Sequence, residues 1–164
     1  MNNSDDISDL VIKLIDGLKA RDLKLVTAES CTGGMIATAI TCVSGASEIF
    51  YGGFVTYANE AKQKMLGVDN AILNQFGAVS EECAMTMAQG ALYNSDADVS
   101  VAVTGIAGPT GGTDEKPSGL VYIAVGSRKN VNIKEYNFGG MGRDVVREKS
   151  TIAALELLMA EIGI

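Results

Sequence analysis

Apolar residues recur at helical spacing at Ile7, Leu10, Val11, Leu14, Ile15 and Leu18, which predicts an amphipathic helix with Ser4 as its cap. The pattern then changes period. Lys24 to Ala28 reads as a short strand, and Gly33-Gly34 opens a second helix with Met35, Ile36, Ala39, Ile40 and Val43 on its apolar side. Ile49 to Tyr57 is aromatic and β-branched but broken by Gly52-Gly53, the pattern of a strand with a bulge or a close backbone approach. Two short helices follow, one capped by Asn59 and running through Leu66, the other over Asn70 to Phe76. Ser80, Glu81 and Glu82 start a further helix whose inner face is Ala84, Met87, Ala88, Ala91 and Leu92. Val99 to Val103 is almost continuously apolar, as in a buried central strand. Residues 105–118 form a Gly/Pro/Thr loop, and loops of that length in compact domains are often functional. Gly119 to Val125 and Val131 to Phe138 form a hairpin around Ser127 to Asn130, and a last helix runs from Asp144 to Ala160.

Helices and strands thus alternate over the first two-thirds, and a hairpin-plus-helix unit closes the chain. This order predicts a three-layer α/β/α sandwich with a mixed β-sheet. Repeats, low-complexity tracts and linkers are lacking, so a single domain over residues 1–164 is expected.

Composition narrows the function classes. At 47% hydrophobic and 20% charged residues the chain is too apolar to be disordered. A net charge of −7 argues against a nucleic-acid surface, but leaves room for one small anion held by local donors. Cys31, Cys42 and Cys83 have no regular spacing, so reduced thiols in a cytoplasmic protein are expected rather than a disulfide framework. With no CxxC and no His, no zinc site is expected. The polar, acidic start is not a signal peptide, and no apolar run approaches the roughly 20 residues of a membrane span. The lack of histidine also means that nucleophilic chemistry here needs a base other than imidazole.

Candidate chemistry gathers where strands end. Ser30 lies between a strand and a Gly-opened helix, where a nucleophile would have free helix N–H groups nearby to stabilise an oxyanion or bind phosphate. The competing role for Ser30 or Thr32 is simple capping. Cys31 is a rival nucleophile in a Cys-Glu-Lys arrangement with Glu29, or else a small buried apolar residue. Strand neighbours point to opposite faces, so Ser30 and Cys31 are not both expected in the site unless the turn has already begun. Lys62 could act as a base if desolvation or a nearby positive charge lowered its pKa; otherwise it is a solvated lysine on a short helix. Tyr57 could relay a proton or hold the substrate. After Val103, the glycines Gly105, Gly108, Gly111 and Gly112 offer N–H groups for an anion nest, or form a mobile surface loop. The spacing is neither a P-loop nor a dinucleotide fingerprint. Thr104 sits at the strand end, which faces the ligand crevice in α/β sheets. Arg143 follows Gly139-Gly140-Met141-Gly142; Arg suits phosphate, and the helix dipole does not favour a cation at a helix start. These residues by themselves define an α/β domain with a small-anion or amide-type site and leave the substrate open.

Taken together, the motifs resemble the CinA C-terminal domain family, also known as nicotinamide-nucleotide amidase (PncC), in its stand-alone form. The matching stretches are Thr27 to Gly34 (TAESCTGG), Gly53 to Lys62 (GFVTYANEAK), Gly77 to Ser80 (GAVS), Thr104 to Gly112 (TGIAGPTGG) and Lys116-Pro117, with Gly119 shortly after. They occur in family order and cover nearly the whole chain. The resemblance implies hydrolysis of the carboxamide of nicotinamide mononucleotide to nicotinate mononucleotide and ammonia, in pyridine-nucleotide salvage, with no metal or organic cofactor. Ser30 would be the nucleophile, Lys62 the base and Tyr57 a helper. Thr32, Gly33, Gly34, Asn59, Thr104, Gly105, Ala107, Gly108 and Arg143 would bind or orient the nucleotide. A homo-oligomer, a dimer, is the implied assembly, with neither nucleic acid nor membrane as partner. The alternatives are a non-catalytic nucleotide-binding regulatory module and a Cys31-dependent amidase. The chain departs from its relatives before the last helix. They commonly carry Phe-x-Gly-Asp-Arg; here Phe138-Gly139-Gly140-Met141-Gly142-Arg143 is longer and lacks the Asp, and Thr110 stands where an acidic residue is frequent.

Overall fold

The computed structural model describes residues 3–164, with side chains described from Ile7 onward. Five strands form one mixed sheet: β1 (Leu25–Glu29), β2 (Phe50–Val55), β3 (Val99–Gly105), β4 (Leu120–Ser127) and β5 (Val131–Asn137). Their spatial order is β2-β1-β3-β4-β5. The first three run parallel, and β4 and β5 are antiparallel to their neighbours. The helices are α1 (Asn3–Ala20), α2 (Met35–Thr41), α3 (Asn59–Leu66), α4 (Asn70–Phe76), α5 (Glu81–Tyr93) and α6 (Arg143–Glu161). Helices α1, α2 and α6 pack together on one face of the sheet, and α3, α4 and α5 on the other, which is the three-layer α/β/α sandwich that the alternation of elements predicts.

The pleat sorts residues by size. Leu25, Val99, Val101, Val103, Val121, Ile123 and Val125 point into the core beneath α1, α2 and α6. Ala28, Ala102 and Ala124 face the other way, toward α5. Successive side chains alternate faces, so large β-branched residues fill one layer and small ones leave α5 room to lie close. Helix α5 is itself small on that side, with Ala84, Ala88, Gly90 and Ala91 all buried. Gly90 lets α3 approach: a Cβ there would run into the Leu66 carbonyl at the end of α3. Because α3 carries Lys62, this contact also places a site residue. Gly90→Ala is expected to cost about 3 kcal/mol of stability through overpacking against backbone, read as a lowered midpoint in chemical denaturation.

Element boundaries moved for local reasons. Helix α1 begins at Asn3, so Ser4 is inside it rather than at its cap, and its side chain lies outside the described residues. Ala58, not Asn59, occupies the N-cap of α3, with no side-chain cap. Ser80 does cap α5, accepting from the Cys83 amide, and Asp69 caps α4 by accepting from that of Ala71. The interruption at Gly52-Gly53 coincides with an irregularity in the β1–β2 ladder, where Leu25 pairs with Phe50 but Val26 with Gly52. Gly53 is also a close-approach glycine, since a Cβ there would stand 2.5 Å from the Thr27 hydroxyl. No helix among the described residues is long and apolar enough to cross a membrane.

Candidate active site

Parallel strands deliver side chains at their carboxyl ends, and β1 and β3 end side by side. Ser30 follows β1 directly, its amide donating to the Val103 carbonyl of β3 at 3.0 Å. A turn then begins at once: the Gly33 amide returns to the Ser30 carbonyl, and Gly33 and Gly34 hold φ of +61° and +97°. Only glycine takes up such a pair without strain. A cavity of about 350 Å³ opens above this point, lined by Ser30, Cys31, Tyr57, Asn59, Lys62, Ala78, Val79, Thr104 to Gly108, Thr110, Gly111 and Arg143. That volume suits a small molecule of nucleotide size.

Lys62 is the central feature. Its side chain is 1% exposed, and its ammonium nitrogen meets three oxygens. It lies 3.0 Å from Ser30 Oγ, 2.9 Å from the Thr56 carbonyl and 3.2 Å from the Tyr57 carbonyl. Helix α3 is too short to hide a lysine by its own sequence; the 56–58 connection, the Ser30–Cys31 turn and Cys83 of α5 surround its amine. Burial pushes its pKa below the usual lysine value, opposed by the nearby Cys83 and Cys31 sulfurs. The solvated-lysine alternative is therefore excluded by packing. The two carbonyls accept two N–H bonds, which in the neutral amine turns the remaining position, the lone pair, toward the Ser30 hydroxyl. That is the geometry of an activated serine with no imidazole.

Cys31 also lines the cavity, because the turn starts at Ser30 and strand alternation no longer separates the two. Burial pushes its thiol up to about 11, as it does that of Cys83. A protonated, buried thiol is a poor nucleophile, and Ser30 holds the lysine contact.

The expectation that helix-start N–H groups hold an oxyanion or phosphate is corrected by Glu29. Its buried carboxylate accepts from the amides of Gly34 (3.0 Å), Ile36 (3.1 Å) and Ala37 (2.9 Å). The N-terminus of α2 is thus already occupied by an anion, and Thr32, Gly33 and Gly34 do not line the cavity. The other positions proposed for substrate, namely Asn59, Thr104, Gly105, Ala107, Gly108 and Arg143, do line it.

Arg143 spans the cavity mouth, donating to the Gly108 carbonyl at 3.0 Å and to the Tyr57 hydroxyl at 2.5 Å. The longer Gly-rich run before it brings it there with Gly139 and Gly142 at positive φ. One turn later, Arg147 donates to the Thr32 carbonyl at 2.9 Å. The lining holds two basic side chains, Lys62 and Arg143, and no carboxylate, in contrast to the chain's net charge of −7.

Sequence reasoning had assigned no role to Ala78 and Val79, which complete one wall. Two polar ties hold them. The Thr104 hydroxyl donates to the Ala78 carbonyl at 2.7 Å, and Lys116 reaches the carbonyls of Phe76 and Val79. The GAVS and Lys-Pro motifs were their signal: both lie far from Ser30 in sequence yet meet at one loop junction. A second hollow of about 430 Å³ between α5 and the β4–β5 turn includes Tyr93, Ser127, Arg128 and Lys129; there Lys129 meets the Ser127 hydroxyl through its backbone amide at 3.3 Å, and its side chain is exposed.

An α/β/α domain with a buried serine–lysine pair at the carboxyl ends of parallel strands defines the class. The chain belongs to the CinA C-terminal domain family, whose model matches residues 7–162. It is 49% identical over 140 residues to a CinA-like protein of Geobacter sulfurreducens, a match covering 85% of this chain and 34% of that one. Among solved structures it superposes on the competence/damage inducible protein CihA of Agrobacterium tumefaciens with a TM-score of 0.93 at 49% identity, covering 94% of each chain. A competence-damaged protein (CinA) superfamily protein of Escherichia coli gives a TM-score of 0.91 at 38% identity, covering 97% of this chain and 92% of that one. The chain spans about a third of the length of the curated relatives it matches.

Proposed function

We propose that this domain is a serine amidase that hydrolyses the carboxamide of nicotinamide mononucleotide. The observation carrying this reading is the 3.0 Å contact between Ser30 Oγ and Lys62 Nζ, made by a buried lysine whose other two partners are carbonyls. Neutral Lys62 takes the Ser30 proton as Ser30 Oγ attacks the carboxamide carbon. The tetrahedral adduct collapses when the Lys62 ammonium returns that proton to the departing nitrogen, and ammonia leaves. Water then attacks the acyl-enzyme, giving a proton to Lys62. Lys62 passes it to Ser30 Oγ as nicotinate mononucleotide is released.

The oxyanion needs donors other than α2. The amides of Ala107 and Gly108 have no backbone acceptor among the described residues, and both residues line the cavity, so they are the amides we assign to it. The carboxamide end sits at Ser30 and the phosphate end at Arg143, whose guanidinium suits an anion. Arg143→Met is expected to raise KM about 10-fold or more with a smaller change in kcat, since a phosphate contact remote from the reacting bond serves binding. Tyr57 loses a partner in that variant and keeps its place in the wall.

Ammonia release from nicotinamide mononucleotide by the purified chain tests the reading directly. Turnover is the expected result. Saturable nucleotide binding without ammonia overturns it in favour of a nucleotide-binding regulatory module.

A further inference from the structure

Glu29 is a wholly buried carboxylate adjacent in sequence to the nucleophile, and no lysine or arginine among the described residues pairs with it. Burying an unpaired charge is costly unless hydrogen bonds replace its water. Here three amides do so, and they come from a span of four residues, Gly34 to Ala37. One oxygen takes the Gly34 and Ile36 amides and the other takes Ala37. Pleat alternation decides the direction. Leu25 faces the α1/α2/α6 layer, so Thr27 and Glu29 share that side. Glu29 therefore points under α2 while Ser30, at the first turn position, reaches the cavity.

The other ties of the turn are these: Ser30 is held through its amide to Val103 and its hydroxyl at Lys62, Gly33 returns to Ser30, and the Thr32 carbonyl accepts from the Met35 amide and from Arg147 of α6. Helix α2 is only seven residues long and has no side-chain cap at Gly34. The Glu29 carboxylate is what binds the first turn of α2 to the end of β1 across the Ser30 segment.

We propose that Glu29 is a positioning residue for the nucleophile: its carboxylate locks the Ser30–Gly34 turn to the start of α2 and so holds Ser30 Oγ within reach of Lys62. The inference rests on the amidase reading for its chemistry, but its geometry concerns Ser30 alone. A misplacement of about 1 Å at a reacting atom costs on the order of 100-fold. In Glu29→Gln, the amide nitrogen replaces an acceptor oxygen and faces a backbone N–H, so the lock opens. In Glu29→Asp, the charge remains but its oxygens retract by one methylene.

The experiment measures two things on the full chain and both variants: ammonia release from nicotinamide mononucleotide, and the rate at which a fluorophosphonate probe labels Ser30, located by mass spectrometry. We expect kcat and labelling rate to fall together by about 100-fold in Glu29→Gln, with KM within threefold and the midpoint of the pH profile unmoved. Glu29→Asp is expected to fold and show an intermediate loss. Labelling at the wild-type rate in either folded variant overturns the proposal. If the wild-type chain is labelled but releases no ammonia, the amidase reading fails while the labelling ratio still decides the role of Glu29. Should Glu29→Gln not fold, Glu29→Asp and amide hydrogen exchange in the wild-type chain carry the test. The Ile36 and Ala37 amides are expected to exchange as slowly as core strand amides, and rapid exchange there in a chain that labels normally overturns the lock.

Discussion

Ser30→Ala is expected to remove the proposed ammonia release, lowering kcat by about 10⁴-fold or more, with the fold and the affinity for nicotinamide mononucleotide retained. The effect is large because no other group in the cavity can replace the hydroxyl. Cys31 is the nearest rival, and its thiol is pushed up to about 11 by burial, so almost none is thiolate near neutrality. The fold is expected to survive because the backbone ties of this residue remain, its amide to Val103 and its carbonyl from Gly33, and Lys62, which loses the Ser30 hydroxyl, keeps the Thr56 and Tyr57 carbonyls. Calorimetry on the variant with the mononucleotide, beside the ammonia assay, checks both halves. Retained turnover in Ser30→Ala, abolished by thiol alkylation, would move the chemistry to Cys31.

Lys62→Met is expected to lower kcat by about 10³-fold or more and to abolish the rise of activity with pH. Burial favours the neutral amine, and the neutral amine is the base in the proposed mechanism, so activity is expected to increase as Lys62 loses its proton. The rising limb therefore lies below the ordinary lysine value of 10.5. The same shift has a stability consequence. Between the folded pKa and 10.5 the unfolded chain binds the extra proton, so stability rises with pH through that window. It is lost as pH falls through the folded value. Thermal midpoints of wild type and Lys62→Met across pH 6–11 isolate this contribution as their difference. A wild-type activity profile flat over that range would contradict Lys62 as the base.

Local signals were sufficient where an element obeys its own neighbours. The period-3.6 run from Ile7 to Leu18 became α1, and Val99 to Val103 became the central strand because Val99, Val101 and Val103 fill one face of it and the small Ser100 and Ala102 fit under α5 on the other. Ser80 marked a helix start in sequence, and it caps α5 because its hydroxyl needs only the Cys83 amide three residues on. Asn59, expected as a cap, is not one, because α3 starts one residue after Ala58 and takes its place from packing against α5. The motif stretches marked the site, and most of the expected residues do line one cavity. Thr32 to Gly34 were misread for a physical reason: a helix N-terminus looks open in sequence, and only a folded Glu29 carboxylate shows that it is filled.

By itself the sequence determined the order of helices and strands, the apolar faces, the glycines that permit tight turns and the positions at which polar chemistry gathers. These depend on periodicity and on backbone freedom, which are properties of neighbouring residues. Tertiary structure alone decided that Lys62 is buried and aimed at Ser30, that Arg143 reaches the cavity despite the longer run before it, and that Glu29 shuts α2 against a second anion. Those outcomes rest on desolvation and on oxygen–nitrogen distances between residues of different elements, tens of positions apart for Lys62 and Arg143, and such quantities exist only once the elements have packed.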